Sequence, residues 1–245
     1  MSEKLRLDYL LVERGLYVSR ARARDAIARG EVTVDGRTID KPGHPTACDA
    51  DLSTEDPARS YVSRSALKLK GALEHFAIDV AAKCCLDIGA STGGFTQVLL
   101  ERGATHVTAI DVGHGQLVPM LAMDSRVTSI EGLNSRDLGP DHLAYAPDVI
   151  VADVSFISLK LALPPALALA GRGAIGVFLV KPQFEVGREH VGKGGLVKDL
   201  TATQAAIDDI TAFLETSGWR VTARMASTIT GGDGNQEYLL AARKT

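Results

Sequence analysis

Cysteine is scarce in this chain, and long apolar runs and an excess of positive charge are missing from it; each shortage narrows what it can be. Only three cysteines occur, Cys48, Cys84 and Cys85; two are adjacent and none has ligand spacing, which argues against a structural disulfide or a cysteine-built metal site. A reduced, cytoplasmic protein without a metal is the plain expectation. The most apolar region, Leu161 to Val180, is broken by Pro164, Pro165 and Arg172, so it offers no membrane span, which needs ~20 largely uncharged residues. MSEKLRLDYLL has neither an apolar h-region nor a small-residue cleavage site, and no secretory signal is expected. Lys and Arg total 27 against 30 Asp and Glu, a net charge of −3, so any nucleic-acid surface must be a local patch.

What remains is ordinary globular composition, 45% hydrophobic and 23% charged, over 245 residues: room for one full-sized domain with a small appendage. Near the amino terminus, Leu7, Leu10 and Leu11 fall at helical spacing, Gly15 closes that segment, Ser19 offers an N-cap, and Ala21, Ala23, Ile27 and Ala28 continue a second helix to Gly30. EVTVDGRTI then alternates around Asp35-Gly36, a strong hairpin signal. Arg20 and Arg24, four apart, share one helix face, with Arg22 nearby; such a cluster can contact successive phosphates or be a solvated face. SRARARDAIARGEVTVDG resembles the small RNA-binding domain first recognised in ribosomal protein S-four. That resemblance implies RNA contacts at Arg6, Arg20, Arg22 and Arg24. Residues 39–57, rich in Asp, Pro and Thr, read as the edge of this module; the expected division is 1–58, a linker at 59–62, and a second domain over 63–245.

After a helical stretch near Ser65 to Phe76, short apolar runs alternate with amphipathic segments. Strands are expected at Cys84–Ile88, Val107–Ile110, Val127–Ile130, Val149–Ala152 and Ala174–Val180, with helices near Gly93–Arg102, Gln116–Ala122, Leu159–Ala170 and Thr203–Ser217. This alternation is the pattern of an α/β fold, a mainly parallel Rossmann-like sheet with helices on both faces, preceded here by a small α+β domain. Trp219–Met225 and Glu237–Ala242 would add an antiparallel edge pair.

Ligands of such sheets bind beyond the carboxyl ends of the strands. There the chain reads CLDIGASTGGF, with Ser91 where a dinucleotide fingerprint has its second glycine, the one that lets backbone approach a pyrophosphate. Asp87 to Gly93 resembles the acidic-x-Gly-x-x-x-Gly loop of Rossmann-like methyltransferases. Asp87, Gly89, Ser91, Thr92, Gly93, Gly94, Phe95, Asp111 and Val112 are therefore expected around S-adenosyl-L-methionine, Asp111 facing ribose. A dinucleotide, or a tight turn with a capping aspartate, stays open on these residues alone. Gly187 to Gly194 fits Gly-x-x-x-x-Gly-Lys, but Gly194 replaces the hydroxyl residue that would hold magnesium, so a mobile loop touching RNA phosphate is expected instead.

Asp153 and Lys181 end the fourth and fifth apolar runs and would flank one crevice. With YVSRSALKL around Lys68, and Glu237, they resemble the Lys-Asp-Lys-Glu set of FtsJ-like ribose 2′-O-methyltransferases, and from end to end the chain resembles the TlyA family. The resemblance implies methylation of cytidine 2′-hydroxyls in ribosomal RNA, with rRNA or ribosomal subunits as partners. Lys181 would take or orient the hydroxyl proton while Asp153 and Glu237 hold the two lysines. A monomer is the expected form. An RNA-binding protein with a catalytically silent domain is the alternative reading. The family also carries a haemolysin label, though a pore would need a membrane segment that is not visible here.

Overall fold

Leucines at helical spacing build the amino-terminal part. Leu7 and Leu11 on α1 (Leu7–Glu13) and Ala23, Ala26 and Ile27 on α2 (Arg20–Ala28) are fully buried in one cluster. The Ser19 hydroxyl accepts the Arg22 N–H at 3.3 Å and starts α2, as a cap should. β1 (Lys4–Arg6), β2 (Val32–Val34) and β3 (Arg37–Thr38) complete this part, with Val32 and Val34 buried. Asp35 and Gly36 both take positive φ, 49° and 76°, which is what a two-residue hairpin turn between β2 and β3 demands. Residues 39–57 are more ordered than their composition suggests. They hold β4 (Pro45–Ala47), antiparallel to β1, and β5 (Leu52–Thr54), antiparallel to β2. Runs this short cannot display a period of two.

The computed structural model describes residues 3–245, and these form two compact units that part between Ala66 and Leu67. The second unit carries α3 (Ala66–His75, from its second residue), β6 (Cys84–Ile88), α4 (Gly94–Glu101), β7 (His106–Asp111), α5 (Pro119–Ala122) and β8 (Val127–Glu131). It continues with β9 (Val149–Ala152), α6 (Leu159–Ala162), α7 (Pro164–Leu169), β10 (Ile175–Val180), α8 (Pro182–Glu185), α9 (Leu200–Thr216), β11 (Trp219–Ala226) and β12 (Tyr238–Lys244). The expected single helix over Leu159–Ala170 is two, because the prolines cannot donate into a preceding turn and start α7 afresh.

Seven strands lie in the order β8-β7-β6-β9-β10-β12-β11, parallel from β8 to β10, with β12 antiparallel to β10 and to β11. Every residue of β9 is buried, as expected of a strand covered on both faces. Leu86, Ile150, Phe178 and Trp219 anchor the core on one of those faces. Connections leave β6 and β9 in opposite directions across the sheet. A crevice therefore opens where their carboxyl ends part.

Arg22 departs from expectation. It is buried, since two residues along a helix from Arg20 is about 200° around the axis. Its guanidinium donates to the carbonyls of Tyr61 at 3.2 Å and Ala58 at 3.1 Å and to Asp25 at 3.0 Å, and lies 3.5 Å from the buried Asp56. Asp56 in turn accepts from Arg29 and from the Ala58 N–H. Arg22 is thus a strut under residues 56–61, not a phosphate contact. Arg22→Ala should destabilise the first unit by about 3 kcal/mol, because a buried carboxylate loses a partner and two carbonyls lose donors. Arg22→Lys should recover little of this, lacking the planar fork. Urea unfolding read through hydrogen exchange of Arg20–Ala28 is the check, and wild-type protection in Arg22→Ala would reject the strut.

Candidate active site

At the carboxyl end of β6 the chain turns through Gly89 and Gly93, both at positive φ, 82° and 100°. A Cβ at Gly89 would sit 2.5 Å from the Asp153 carbonyl, and one at Gly93 would collide with Leu121. Gly89 is thus packed against the chain leaving β9 and Gly93 against Leu117 and Leu121, with no room for a side chain at either. Ser91, at φ 48°, donates its N–H to Asp111 Oδ2 at 2.8 Å, and Gly113 N–H reaches Asp111 Oδ1 at 2.7 Å. Asp111 thus caps the turn, and it also lines the crevice. Glu131, its neighbour across β7 and β8, accepts the N–H groups of Gly115, Gln116 and Leu117, which holds the Glu131 carboxyl below its ordinary range.

The crevice encloses about 650 Å³, with Gly89, Ser91, Asp111 and Val112 along one wall and Asp153, Ser155 and Phe156 along another. A larger concavity, about 780 Å³, opens at the opposite edge near Lys83, Asp148 and Ile175, where the strands begin. None of the expected reacting groups lines it.

Those groups converge at the carboxyl edge. Val180 pairs with Tyr238, so Lys181 and Glu237 occupy the next positions on adjacent strands. Lys68 reaches Glu237 from α3 in a buried ion pair. Lys181 Nζ lies 2.7 Å from Asp153 Oδ1 and donates to Ser155 Oγ at 2.8 Å. The four charged side chains are 3% to 14% exposed, withdrawn from water yet paired. Burial pushes the Glu237 carboxyl above its ordinary range, against the pull of Lys68 and then Lys181. Each lysine has a carboxylate partner, and Lys181 keeps one donor direction free of Asp153 and Ser155.

Two family patterns match this chain. The FtsJ-like methyltransferase pattern matches residues 61–244, and the S4 domain pattern matches residues 5–45. The 16S/23S rRNA (cytidine-2′-O)-methyltransferase TlyA of Mycobacterium tuberculosis is 46% identical over 99% of this chain and 91% of its own. The chain belongs to the TlyA family of FtsJ-like methyltransferases. Hemolysin A of Brachyspira hyodysenteriae is 40% identical, over 96% of this chain and 98% of its own. The solved structure of a candidate hemolysin from Streptococcus thermophilus superposes with a TM-score of 0.79 at 40% identity, covering 100% of this chain and 90% of that one. No helix among the described residues here is long and apolar enough to cross a membrane.

Within this FtsJ-like unit the glycine-loop residues divide by position. Gly89, Ser91, Asp111 and Val112 face the crevice; Asp87, Thr92, Gly93, Gly94 and Phe95 stand behind it as foundations. Sequence reasoning passed over Ser155 and Phe156. Phe156 is 91% exposed at φ 64°, an outlier for a bulky residue, and its ring lies 5.1 Å from that of Phe184. A polar-aromatic pair just past a strand end was the available signal.

Asp87 is fully buried, with Thr96 donating to Oδ2 at 2.7 Å and no hydrogen-bond partner on Oδ1. Burial, aided by Asp153 and Asp111, lifts its pKa to about 7. The folded protein therefore holds a proton there that the unfolded chain releases near pH 4. The associated stability is full below about pH 4 and is lost as pH rises through about 7. Asp87→Asn removes the titration. Its stability relative to wild type should rise by about 2–4 kcal/mol between pH 4 and 8, measured by urea unfolding at each pH, and a pH-independent difference would contradict the protonated carboxyl.

Proposed function

We propose that this chain transfers the methyl group of S-adenosyl-L-methionine to the ribose 2′-hydroxyl of a cytidine in ribosomal RNA, acting as a monomer in the cytoplasm. The observation that carries the reading is the double lysine–carboxylate arrangement beside the glycine-loop crevice. Gly89, Ser91, Asp111 and Val112 would hold the donor, with Asp111 accepting from its ribose. When bound, it supplies an electrophilic sulfonium methyl that needs only in-line presentation.

Lys181 takes or orients the proton that the 2′-hydroxyl gives up as its oxygen bonds to the methyl carbon and the methyl–sulfur bond breaks. Asp153 and Ser155, at 2.7 and 2.8 Å, hold its Nζ in place. Ser155 acts as a positioning residue: with Asp153 it fixes the rotation of the amine and so the direction left for the acceptor. Lys68 and Glu237 keep the edge neutral and place the acceptor sugar. The exposed Phe156 ring offers a face for the acceptor base, a contact worth ~1–3 kcal/mol. Holding hydroxyl and methyl in attack geometry can supply ~7–11 kcal/mol of the acceleration.

In the first unit, Arg6 and Arg20 both bind the buried Asp8, at 3.0 and 2.9 Å, and leave their guanidinium groups exposed. Arg6, Arg20 and the exposed Arg24 are the RNA contacts in this reading, without Arg22.

Labelled donor and purified ribosomal subunits test the activity, with the modified nucleotide mapped afterwards. Lys181→Ala should lower kcat by about 10²–10⁴-fold, the range of a lost proton acceptor. Ser155→Ala should lower it about tenfold with an altered pH–rate profile, and Ser155→Thr should restore most of it. Wild-type turnover by Lys181→Ala would remove Lys181 from the reaction.

A further inference from the structure

The glycine-rich stretch 187–198 has no role in the chemistry above. It follows α8 at the carboxyl edge of the sheet and is exposed along most of its length. Gly194 and Gly195 adopt φ of 77° and 80° with open space around them. Segments of this kind are free to move unless tied, and Asn235 ties it. The Asn235 amide oxygen accepts the Val197 N–H at 2.8 Å, and its amide nitrogen donates to the Gly195 carbonyl at 2.8 Å and to Asp233 at 2.9 Å. The side chain is buried, so these bonds are shielded from water. Asn235 precedes Glu237 by two residues, which places the tie within roughly 7 Å of chain from the partner of Lys68.

Charge along the tied loop is uneven. Arg188, Lys193 and Lys198 are exposed and make no ion pair among the described residues. Glu189 is the one acidic residue within the loop and stays exposed, and Asp199 adjoins it. Asp199 caps α9 through Thr201 and Ala202 and lies 3.3 Å from His190, while the Glu189 carboxylate folds back over Gly187. Solvated cations on a segment tied two residues from Glu237 suit the phosphates on either side of an acceptor ribose.

We propose that residues 187–198 form an RNA-backbone contact on the methyltransferase unit itself. Arg188, Lys193 and Lys198 meet phosphates flanking the acceptor nucleotide, and Asn235 fixes them relative to Lys68 and Glu237. This rests on the RNA-methylation reading and adds a surface to it.

The test is binding of a ribosomal RNA fragment to the full chain over a range of salt, for Arg188→Ala/Lys193→Ala/Lys198→Ala and, separately, Glu189→Ala. The triple variant should weaken binding about tenfold or more and flatten the slope of log Kd against log salt by about two. Glu189→Ala should tighten binding, because it removes repulsion from the same surface. Affinity for S-adenosylmethionine without RNA serves as the check that the triple variant is folded. Asn235→Ala, with every loop charge intact, should weaken RNA binding and speed hydrogen exchange at 192–197. An unchanged salt slope in the triple variant, or weakening by both charge variants alike, would overturn the proposal. Wild-type protein that binds RNA with the expected salt dependence but transfers no methyl would sink the catalytic reading and leave this surface standing; wild-type protein that binds no RNA would sink both.

Discussion

Two lysines and two carboxylates sit withdrawn from water at one edge of a sheet, and the local structure is arranged around keeping them neutral as a group. Any one of these charges alone would cost several kcal/mol to bury. Their positions come from different elements: α3, the ends of β9 and β10, and the start of β12. Neutrality therefore requires those elements to hold register. Glu185 supplies part of the lacing, accepting from Ser158 Oγ at 2.6 Å and the Leu159 N–H at 2.8 Å, which binds the loop after β9 to α8. The Phe156–Phe184 contact joins the same two segments. On the other side, Thr228 donates to the Leu67 carbonyl at 3.2 Å, and Gly71 lets that strand-to-strand connection approach so closely that a Cβ would meet Thr228 at 2.7 Å. Lys68 is thereby held against the chain leading to Glu237.

The donor side of the crevice is organised by a different device. Asp111 and Glu131, at the ends of neighbouring parallel strands, hold the loops after β6 and β7 by accepting backbone N–H groups. A carboxylate bound in this way is oriented before any ligand arrives, so hydroxyl groups meeting its remaining lone pairs demand little reorganisation. Asp87 does the opposite. Its burial favours the protonated form, and it acts inside the loop, tying β6 to α4 through Thr96. Motif letters that look equivalent in a line of text thus have separate physical tasks.

Much of this was legible in the sequence because apolar periodicity and strand ends are local properties. The five parallel strands follow from their apolar runs, and Asp153 and Lys181 could be placed at one edge because each ends such a run. Ion-pair partners were not legible: nothing in the sequence alone says that Lys68 meets Glu237, and only family resemblance grouped them. Arg22 shows where counting charges misleads. Its neighbours Arg20 and Arg24 are one turn apart, but Arg22 lies across the helix, and the helical angle was a better guide than proximity in the chain. Phe156 was missed because its exposure depends on a positive φ that only the folded turn imposes. Beneath the first domain's Asp- and Thr-rich stretch, short strands escaped notice for want of length.

A net charge of −3 is at first sight a poor basis for holding RNA, and the placement of the acidic groups resolves the tension. Asp8 is buried beneath Arg6 and Arg20, so that site presents two guanidinium groups over one carboxylate. Asp56 is buried between Arg22 and Arg29. Asp153 and Glu237 are matched by lysines, and Asp87 holds a proton up to about pH 7. Counterion release responds to the cations a phosphate chain can touch, not to the sum over the molecule. Carboxylates drawn inward to fix turns and lysines therefore leave local surfaces more positive than the total implies. The acidic residues that build the site and the exposed cations that would receive the substrate are two sides of the same distribution.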